Sequence, residues 1–210
     1  MRHGETTAFK KRIIAGATDV PLSRTGIEQM QAVSVWLADK PLRCVYSSPL
    51  RRAAEPAAEL AVGRNIPHSE VMDLSEIDFG DWEGKSYEQL SKDEPELYAK
   101  AQAAAPFFSF PNGEMIDFFR RRVQTAFAQL IRIAPGPAAI YAHGGSIRMI
   151  LAGIKGISTA EAQKISLSPG GITVIEPQGS GYAVTLLNDF SHLPPQAAGE
   201  TERTMTESGN

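Results

Sequence analysis

The 210-residue chain is predicted to be an α/β protein with a mostly parallel sheet, because strand-like segments alternate with helical ones. Two short runs, residues 43–47 and 138–142, read as strands buried inside a sheet. Each is followed by residues that favour a helix start, Ser48-Pro49 after the first run and Gly144-Gly145 after the second. In such sheets the functional crevice lies at the carboxyl ends of the strands, so these two junctions are the first candidate sites.

The first predicted helix covers residues 22–40, where Thr25 and Glu28 have the spacing of a capping box and apolar residues recur at helical intervals. After the first strand, Ser48-Pro49 supplies an N-cap and a first helical residue for the next helix. Pro56 is expected to kink or shorten that helix, because proline removes a backbone donor.

The rest of the chain continues the alternation. The longest helix is predicted over residues 114–133, with its apolar side chains, Phe118 among them, available to the core. The other predicted elements are a strand at 66–71, an irregular stretch at 74–87, helix starts at Ser86 and Pro95, an aromatic loop at 105–113, a helix at 146–155, and two closing strands at 172–176 and 182–187.

One domain is expected over residues 1–191, because the length suits a single core and no linker is visible. Residues 192–210 contain few apolar side chains and are predicted to be a disordered tail.

Composition narrows the class of protein. The net charge of −3 and the pI near 5.8 argue against nucleic acid as a partner, since phosphate backbones are bound by basic surfaces. The single cysteine, Cys44, cannot form an internal disulfide, which indicates a reducing compartment. The sequence contains neither an apolar leader nor a run of about 18 apolar residues, so we expect a cytoplasmic protein that does not span a membrane.

Two histidines beside glycines suggest a site for a phosphoryl group. The first lies in Arg2-His3-Gly4-Glu5-Thr6, at the start of the chain, and the second in Ala142-His143-Gly144-Gly145, directly after a predicted strand. An imidazole nitrogen is a good nucleophile when neutral, and a nearby guanidinium stays charged and can bind two phosphate oxygens at once.

These motifs, with others in the same order, resemble the histidine phosphatase superfamily. The resemblance implies a three-layer αβα, phosphoglycerate mutase-like fold with a small helical cap inserted at about residues 72–113. The segments that carry it are residues 2–6, Thr18-Asp19-Val20-Pro21-Leu22-Ser23 with Gly26, Ser47-Ser48-Pro49-Leu50-Arg51-Arg52-Ala53, residues 74–84, Asn112-Gly113-Glu114, and His143-Gly144-Gly145.

The resemblance also assigns roles. His3 is expected to attack phosphorus, Arg2 and Arg52 to bind the phosphoryl oxygens, and His143 to donate to one of them, as an imidazolium if the anion raises its pKa. Glu76, in the Leu-x-Glu-Ile motif, matches the family's general acid, and a carboxyl group beside a phosphate dianion is favoured in its protonated form, which is the form that can donate.

Further assignments complete the predicted site. Gly144 is placed among the substrate-binding residues, and Arg51 remains the alternative to Arg52 as the second arginine. The run Arg120-Arg121-Arg122 is interpreted as a solvated helix face with one inward partner and no site role. The mechanism requires no metal or cofactor. A small phosphate ester is the expected partner, and a homodimer is left open.

Three positions depart from the family pattern. Phe9 occupies the position of an asparagine that contacts phosphate, and Pro56 that of a common threonine. The leading strand that normally precedes the signature histidine is missing, which would leave a gap in the sheet. We favour a start codon assigned too late over a fragment or a loop that holds His3 unaided.

Residues 77–85 favour a phosphatase over a mutase. They read Ile-Asp-Phe-Gly-Asp-Trp-Glu-Gly-Lys, similar to broad-specificity and α-ribazole phosphate phosphatases, and lack the segment typical of phosphoglycerate mutases. Candidate substrates are α-ribazole 5′-phosphate and small sugar phosphates. The alternatives are a cofactor-dependent phosphoglycerate mutase and a non-catalytic member that only binds phosphate.

Overall fold

A computed structural model of the chain describes residues 1–194. Strands and helices alternate as predicted, and the α/β class is confirmed. The strands are β1 (Cys44–Ser47), β2 (His68–Glu70), β3 (Ala138–Tyr141), β4 (Ile172–Gln178) and β5 (Gly181–Asp189). The helices are α1 (Thr7–Lys10), α2 (Arg24–Trp36), α3 (Arg51–Arg64), α4 (Tyr87–Asp93), α5 (Pro95–Gln102), α6 (Ile116–Ile133), α7 (Gly144–Lys155) and α8 (Thr159–Gln163).

The sheet has a parallel part and an antiparallel part. In the parallel part β1 lies between β2 and β3, so the carboxyl ends of all three strands meet at one edge. The closing strands β4 and β5 pair antiparallel. The prediction of a mostly parallel sheet with a closing hairpin is therefore confirmed.

Residues 1–3 connect the two parts. Arg2 forms a parallel bridge with Ala142, just after β3, and the His3 amide donates to the Ala142 carbonyl at 3.0 Å. On the other side, the Arg2 amide donates to the Gly171 carbonyl, and the His3 carbonyl accepts from the Gly170 amide, both at 3.1 Å. Backbone hydrogen bonds on both sides thus hold His3 between β3 and β4, at the place where the sequence predicts a gap.

Alternation along β1 produces the layers. Val45 packs with α2 and α3, through Met30, Val33 and Ala57, whereas Cys44 and Tyr46 pack with Ala126 and Leu130 of α6. Successive strand residues face opposite sides of a sheet, so β1 buries both of its faces between helices. Within residues 1–194, every helix is too short or too polar to cross a membrane.

Two predicted helix caps are wrong. The cap of α2 is Ser23, whose Oγ accepts from the Gly26 amide at 3.1 Å, so the helix begins at Arg24 and the Thr25–Glu28 spacing makes no cap. Helix α3 begins at Arg51 rather than Pro49, because its first amide is capped by a distant residue, Asp19, whose Oδ1 accepts from it at 2.8 Å.

Pro56 does not shorten α3, which runs through it to Arg64. The missing hydrogen bond is outweighed by packing, because the small side chains of Ala53, Ala57 and Ala61 bury this helix against the sheet. The helix predicted over residues 114–133 begins at Ile116, and its Phe118 is 60% exposed rather than in the core.

The segment predicted to form a cap packs around aromatic side chains. Trp82 is fully buried and contacts the rings of Tyr98, Phe108 and Phe110. Helix α4 starts at a capping box of Ser86 and Gln89 and α5 at Pro95, both as predicted. At the other end Leu193 is buried, and residues 195–210, most of the predicted tail, lie outside the described residues.

Candidate active site

The fold brings together all of the predicted site residues at the carboxyl edge of the sheet. Because residues 1–3 lie beside Ala142, the His3 and His143 rings come within 5.1 Å of each other, centroid to centroid. Both rings are buried. The loop after His3 lies tightly against α2, since a Cβ on Gly4 would be 2.3 Å from the Gly26 carbonyl oxygen and one on Gly26 would be 2.0 Å from the Glu5 carbonyl oxygen.

Hydrogen bonds set opposite tautomers on the two histidines. Nδ1 of His3 lies 2.6 Å from the Gly4 carbonyl oxygen, which can only accept, so Nδ1 carries the proton and Nε2 keeps its lone pair. Nδ1 of His143 instead accepts from Nε of Arg52 at 3.2 Å. The His143 proton therefore resides on Nε2, which has no hydrogen-bond partner among residues 1–194. One ring offers a nucleophilic nitrogen and the other an N–H donor.

Burial and positive charge keep both rings neutral. Burial, together with the charges of Arg52 and Arg2, holds the pKa of His3 well below its usual 6.5. Burial and the Arg52 charge do the same to the pKa of His143. The conditional expectation of an imidazolium at His143 does not describe the ligand-free site, since its Nδ1 is occupied by an Arg52 donor.

Arg52 is a buried cation held by a loop. Its Nη1 donates to the Thr18 carbonyl at 2.8 Å and its Nη2 to the Gly16 carbonyl at 2.6 Å, and only 1% of the residue is exposed. Burial lowers the pKa of Arg52 from its ordinary value. Arg51, the alternative, lies at the surface and pairs with Glu55 at 2.9 Å. The structure thus places Arg52, and not Arg51, beside the histidines.

Sequence reasoning missed Glu83, which organises the loop that holds Arg52. Its carboxylate accepts from the amides of Gly16 at 3.0 Å and Ala17 at 2.9 Å, and from Oγ1 of Thr18 at 2.5 Å. The carbonyls of this loop then orient the Arg52 guanidinium. The motif Trp82-Glu83-Gly84 was the available signal, because it lies within one of the segments that carry the family resemblance.

Arg2 is oriented from two sides. Its Nη1 donates to the Leu167 carbonyl at 2.5 Å, and its guanidinium carbon lies 5.6 Å from the centre of the Phe9 ring. A cation over an aromatic face at this distance is attracted by the ring quadrupole. Phe9, which departs from the family pattern, therefore supports Arg2 with an aromatic face where an asparagine would offer an amide.

Glu76 lies against the start of α7. Its Oε2 accepts from the Gly145 amide at 2.9 Å and its Oε1 from the Ile77 amide at 3.0 Å. A Cβ on Gly145 would lie 2.2 Å from Oε1, so glycine is needed for this close approach. Gly144 is the first residue of α7, a helix whose N-terminal amides and dipole favour an anion next to His143.

The arrangement is suited to a transferring phosphoryl group. It combines a nucleophilic nitrogen, two guanidinium groups, an N–H donor, a helix N-terminus and a carboxyl group at one edge of the sheet. Fixed positive charge of this kind stabilises the charge spread over the oxygens of the transition state. Across residues 1–194, side chains that bind metals form no group of three or more.

The neutral histidines have a measurable consequence. We expect both rings to stay in their neutral tautomers, Nδ1–H for His3 and Nε2–H for His143, as the pH falls through 6.5. The nitrogen-15 NMR chemical shifts of the two rings measure this. The unfolded chain binds protons on these histidines below about pH 6.5 and the folded chain does not, so stability should fall as the pH drops from 7.5 to 5.5. The fall should be smaller in His3→Asn, and rings that protonate near pH 6.5 would contradict the assignment.

Comparisons with known proteins agree on one family. The family model described as the histidine phosphatase superfamily (branch 1) matches residues 1–190. The adenosylcobalamin/α-ribazole phosphatase of Salmonella typhimurium is 31% identical over 157 residues, which cover 72% of this chain and 76% of that protein. The solved structure of Bacillus stearothermophilus YhfR gives a TM-score of 0.85 at 27% identity, over 92% of this chain and 96% of that one. The α-ribazole phosphatase of Shigella flexneri gives a TM-score of 0.80 at 28% identity, over 90% and 94% of the two chains.

Proposed function

Because the chain belongs to the histidine phosphatase superfamily (branch 1), and is thereby a hydrolase, we propose that it cleaves small phosphate monoesters through a phosphohistidine on His3. The observation that carries the proposal is the pair of opposite tautomers that hydrogen bonds assign to His3 and His143. The lone pair on Nε2 of His3 and the N–H on Nε2 of His143 lie in one site with the guanidinium groups of Arg2 and Arg52.

The reaction divides into two displacements at phosphorus. Nε2 of His3 forms a bond to phosphorus while the ester P–O bond breaks, and the departing alkoxide takes a proton from the carboxyl group of Glu76. Water then attacks the phosphohistidine, and the Glu76 carboxylate takes a proton from that water. The P–N bond breaks, which releases phosphate and free His3. Arg2, Arg52, His143 and the N-terminus of α7 stabilise the phosphoryl oxygens in both steps.

For the substrate, α-ribazole 5′-phosphate or a sugar phosphate is the best-supported class. The support is the resemblance of residues 77–85 to that branch and the 31% identity to a relative named for α-ribazole. The cap, with Phe107 82% exposed at its aromatic loop, is the part we propose to determine specificity. A cytoplasmic location belongs to the same proposal and is supported by the lone, free Cys44.

Phosphate release from p-nitrophenyl phosphate, α-ribazole 5′-phosphate and a panel of sugar phosphates tests this function. We expect hydrolysis of p-nitrophenyl phosphate and a higher kcat/KM for at least one natural ester. The mutase alternative is tested with 3-phosphoglycerate plus bisphosphoglycerate, where isomerisation faster than hydrolysis would overturn the phosphatase assignment. Binding of vanadate without turnover of any ester would favour the non-catalytic alternative.

A further inference from the structure

Arg122 contacts the loop that carries Glu76 with its whole guanidinium group. Nε and Nη2 donate to the two carboxylate oxygens of Glu114 at 2.7 and 2.9 Å. Nη1 donates to the carbonyls of Asp73 and Ser75, each at 2.9 Å, and Nη2 also donates to the Glu76 carbonyl at 3.1 Å. A guanidinium has five N–H donors, and these five hydrogen bonds account for all of them.

We propose that Arg122 is a positioning residue for proton transfer, which holds the loop of residues 73–76 so that the carboxyl group of Glu76 stays at the start of α7. This inference rests on the proposed function, because it presupposes that Glu76 is the proton donor. Arg122 itself contacts the loop backbone and Glu114, and its positioning effect reaches the reaction through Glu76. Its charge also contributes to the lowered pKa of His143, and lysine keeps that charge.

The loop is fixed between two helices. From α6, Arg122 binds its carbonyls, and from α7, Oγ of Ser146 donates to the Leu74 and Ser75 carbonyls at 3.0 and 3.1 Å. The carboxylate of Glu76 is in turn held by the Gly145 amide. Both the backbone and the carboxyl group of Glu76 are therefore fixed. A proton donor needs such a fixed position, because it must lie within hydrogen-bond distance of the leaving oxygen.

Arginine is specifically suited to this position. Its guanidinium carbon lies 4.9 Å from the centre of the buried Phe119 ring, and Glu114 binds it with both oxygens, so its plane is fixed. Lysine would bring a compact charge with three donors and could not make the same five hydrogen bonds. We therefore expect Arg122→Lys to preserve the charge and lose the positioning.

The same arginine run supplies a matched control. Arg121 is the adjacent residue of α6, but its side chain is 68% exposed and pairs with Asp117 at 2.6 Å. The Arg122 side chain is only 23% exposed. Arg121→Lys makes the same chemical change on the same helix without touching the loop of Glu76, and we expect it to leave activity within about twofold.

Leaving groups of different basicity separate positioning from general damage. p-Nitrophenolate is a stable anion that departs without a proton, whereas the alkoxide released from glycerol phosphate needs one. We expect Arg122→Lys to lower kcat/KM for glycerol phosphate by about 10- to 100-fold, a part of the 10²–10⁴-fold that general acids contribute. The kcat/KM for p-nitrophenyl phosphate should fall by less than about threefold, because the phosphate-binding groups are unchanged.

Glu76→Gln is measured with the same two substrates. It distinguishes failure of the proposed proton transfer from failure of the proposed role of Arg122. If Glu76→Gln lowers kcat/KM equally for both substrates, Glu76 is not the proton donor, because kcat/KM covers only the steps up to release of the leaving group, and both the proposed proton transfer and the role of Arg122 are overturned. If Glu76→Gln slows the alkyl ester selectively and Arg122→Lys slows both substrates equally or neither, only the role of Arg122 is overturned. If Arg122→Lys does not unfold cooperatively, the same two substrates are compared with Glu114→Gln. This variant weakens one ion pair of the Arg122 guanidinium. Its selective loss on glycerol phosphate supports the proposal and an equal loss contradicts it.

Discussion

Replacing His3 with asparagine is expected to reduce hydrolysis of p-nitrophenyl phosphate by at least about 10³-fold, because the variant has no nitrogen that can form the phosphoenzyme. An asparagine amide can still donate to the Gly4 carbonyl, which now accepts from Nδ1 of His3 at 2.6 Å. Vanadate should continue to bind, since Arg2, Arg52 and His143 remain. Steady-state rates with a vanadate inhibition curve measure both effects.

Trapping the intermediate adds an independent readout. Quenching the wild-type enzyme during turnover should leave phosphate on His3 that is labile to acid and stable to base, and His3→Asn should carry none. His68→Asn is a suitable control, because that histidine bonds to Oγ of Ser47 at 2.8 Å and is not one of the candidate site residues. Equal rates for His3→Asn and the wild type would remove His3 as the nucleophile.

The sequence could predict that His143 and Arg52 come together, because each lies where a strand leads into a helix. His143 follows β3 and Arg52 lies in the first turn of α3, so the general geometry of α/β sheets was enough to bring them to one edge. His3 was the harder case. The sequence predicts a gap beside it, and only the backbone hydrogen bonds to Ala142 and Gly170 reveal how it is held.

Residues that act through other residues were not predictable in this way. Asp19 caps α3 from 32 positions away, Glu83 reaches back to the loop of Gly16, and Arg122 binds carbonyls near Glu76. None of these contacts leaves a local sequence pattern, because the partner is a backbone amide or carbonyl. Every residue type carries such groups, so the sequence does not show which residue is the partner. For the same reason Arg122 could not be distinguished from Arg120 and Arg121 before its neighbours were known.

The second large effect is expected at Arg52, with its neighbour as the control. Arg52→Lys should lower kcat/KM for p-nitrophenyl phosphate by about 10²-fold, because removing one fixed donor to a developing oxyanion costs about that much. Arg51→Lys should change it by less than about twofold, since the Arg51–Glu55 pair is half exposed and such pairs contribute little.

The expected loss of activity in Arg52→Lys has two causes, and a lysine side chain cannot replace both sets of contacts. The guanidinium binds the carbonyls of Gly16 and Thr18 with its terminal nitrogens while Nε donates to His143, and a single ammonium group cannot occupy all three positions. Without the donor on its Nδ1, His143 is no longer confined to the Nε2–H tautomer that we propose to donate to the phosphoryl group.

Anion binding provides the second measurement for the same pair of variants. Burial lowers the pKa of Arg52 and so disfavours its charged form, and a bound anion stabilises that charge, so inorganic phosphate should raise the Tm of the wild type. Arg51→Lys should keep this increase and Arg52→Lys should lose most of it, because the lysine is poorly placed to contact the anion. Identical responses of the two variants in rate and in Tm would return Arg51 to consideration as the second phosphate ligand.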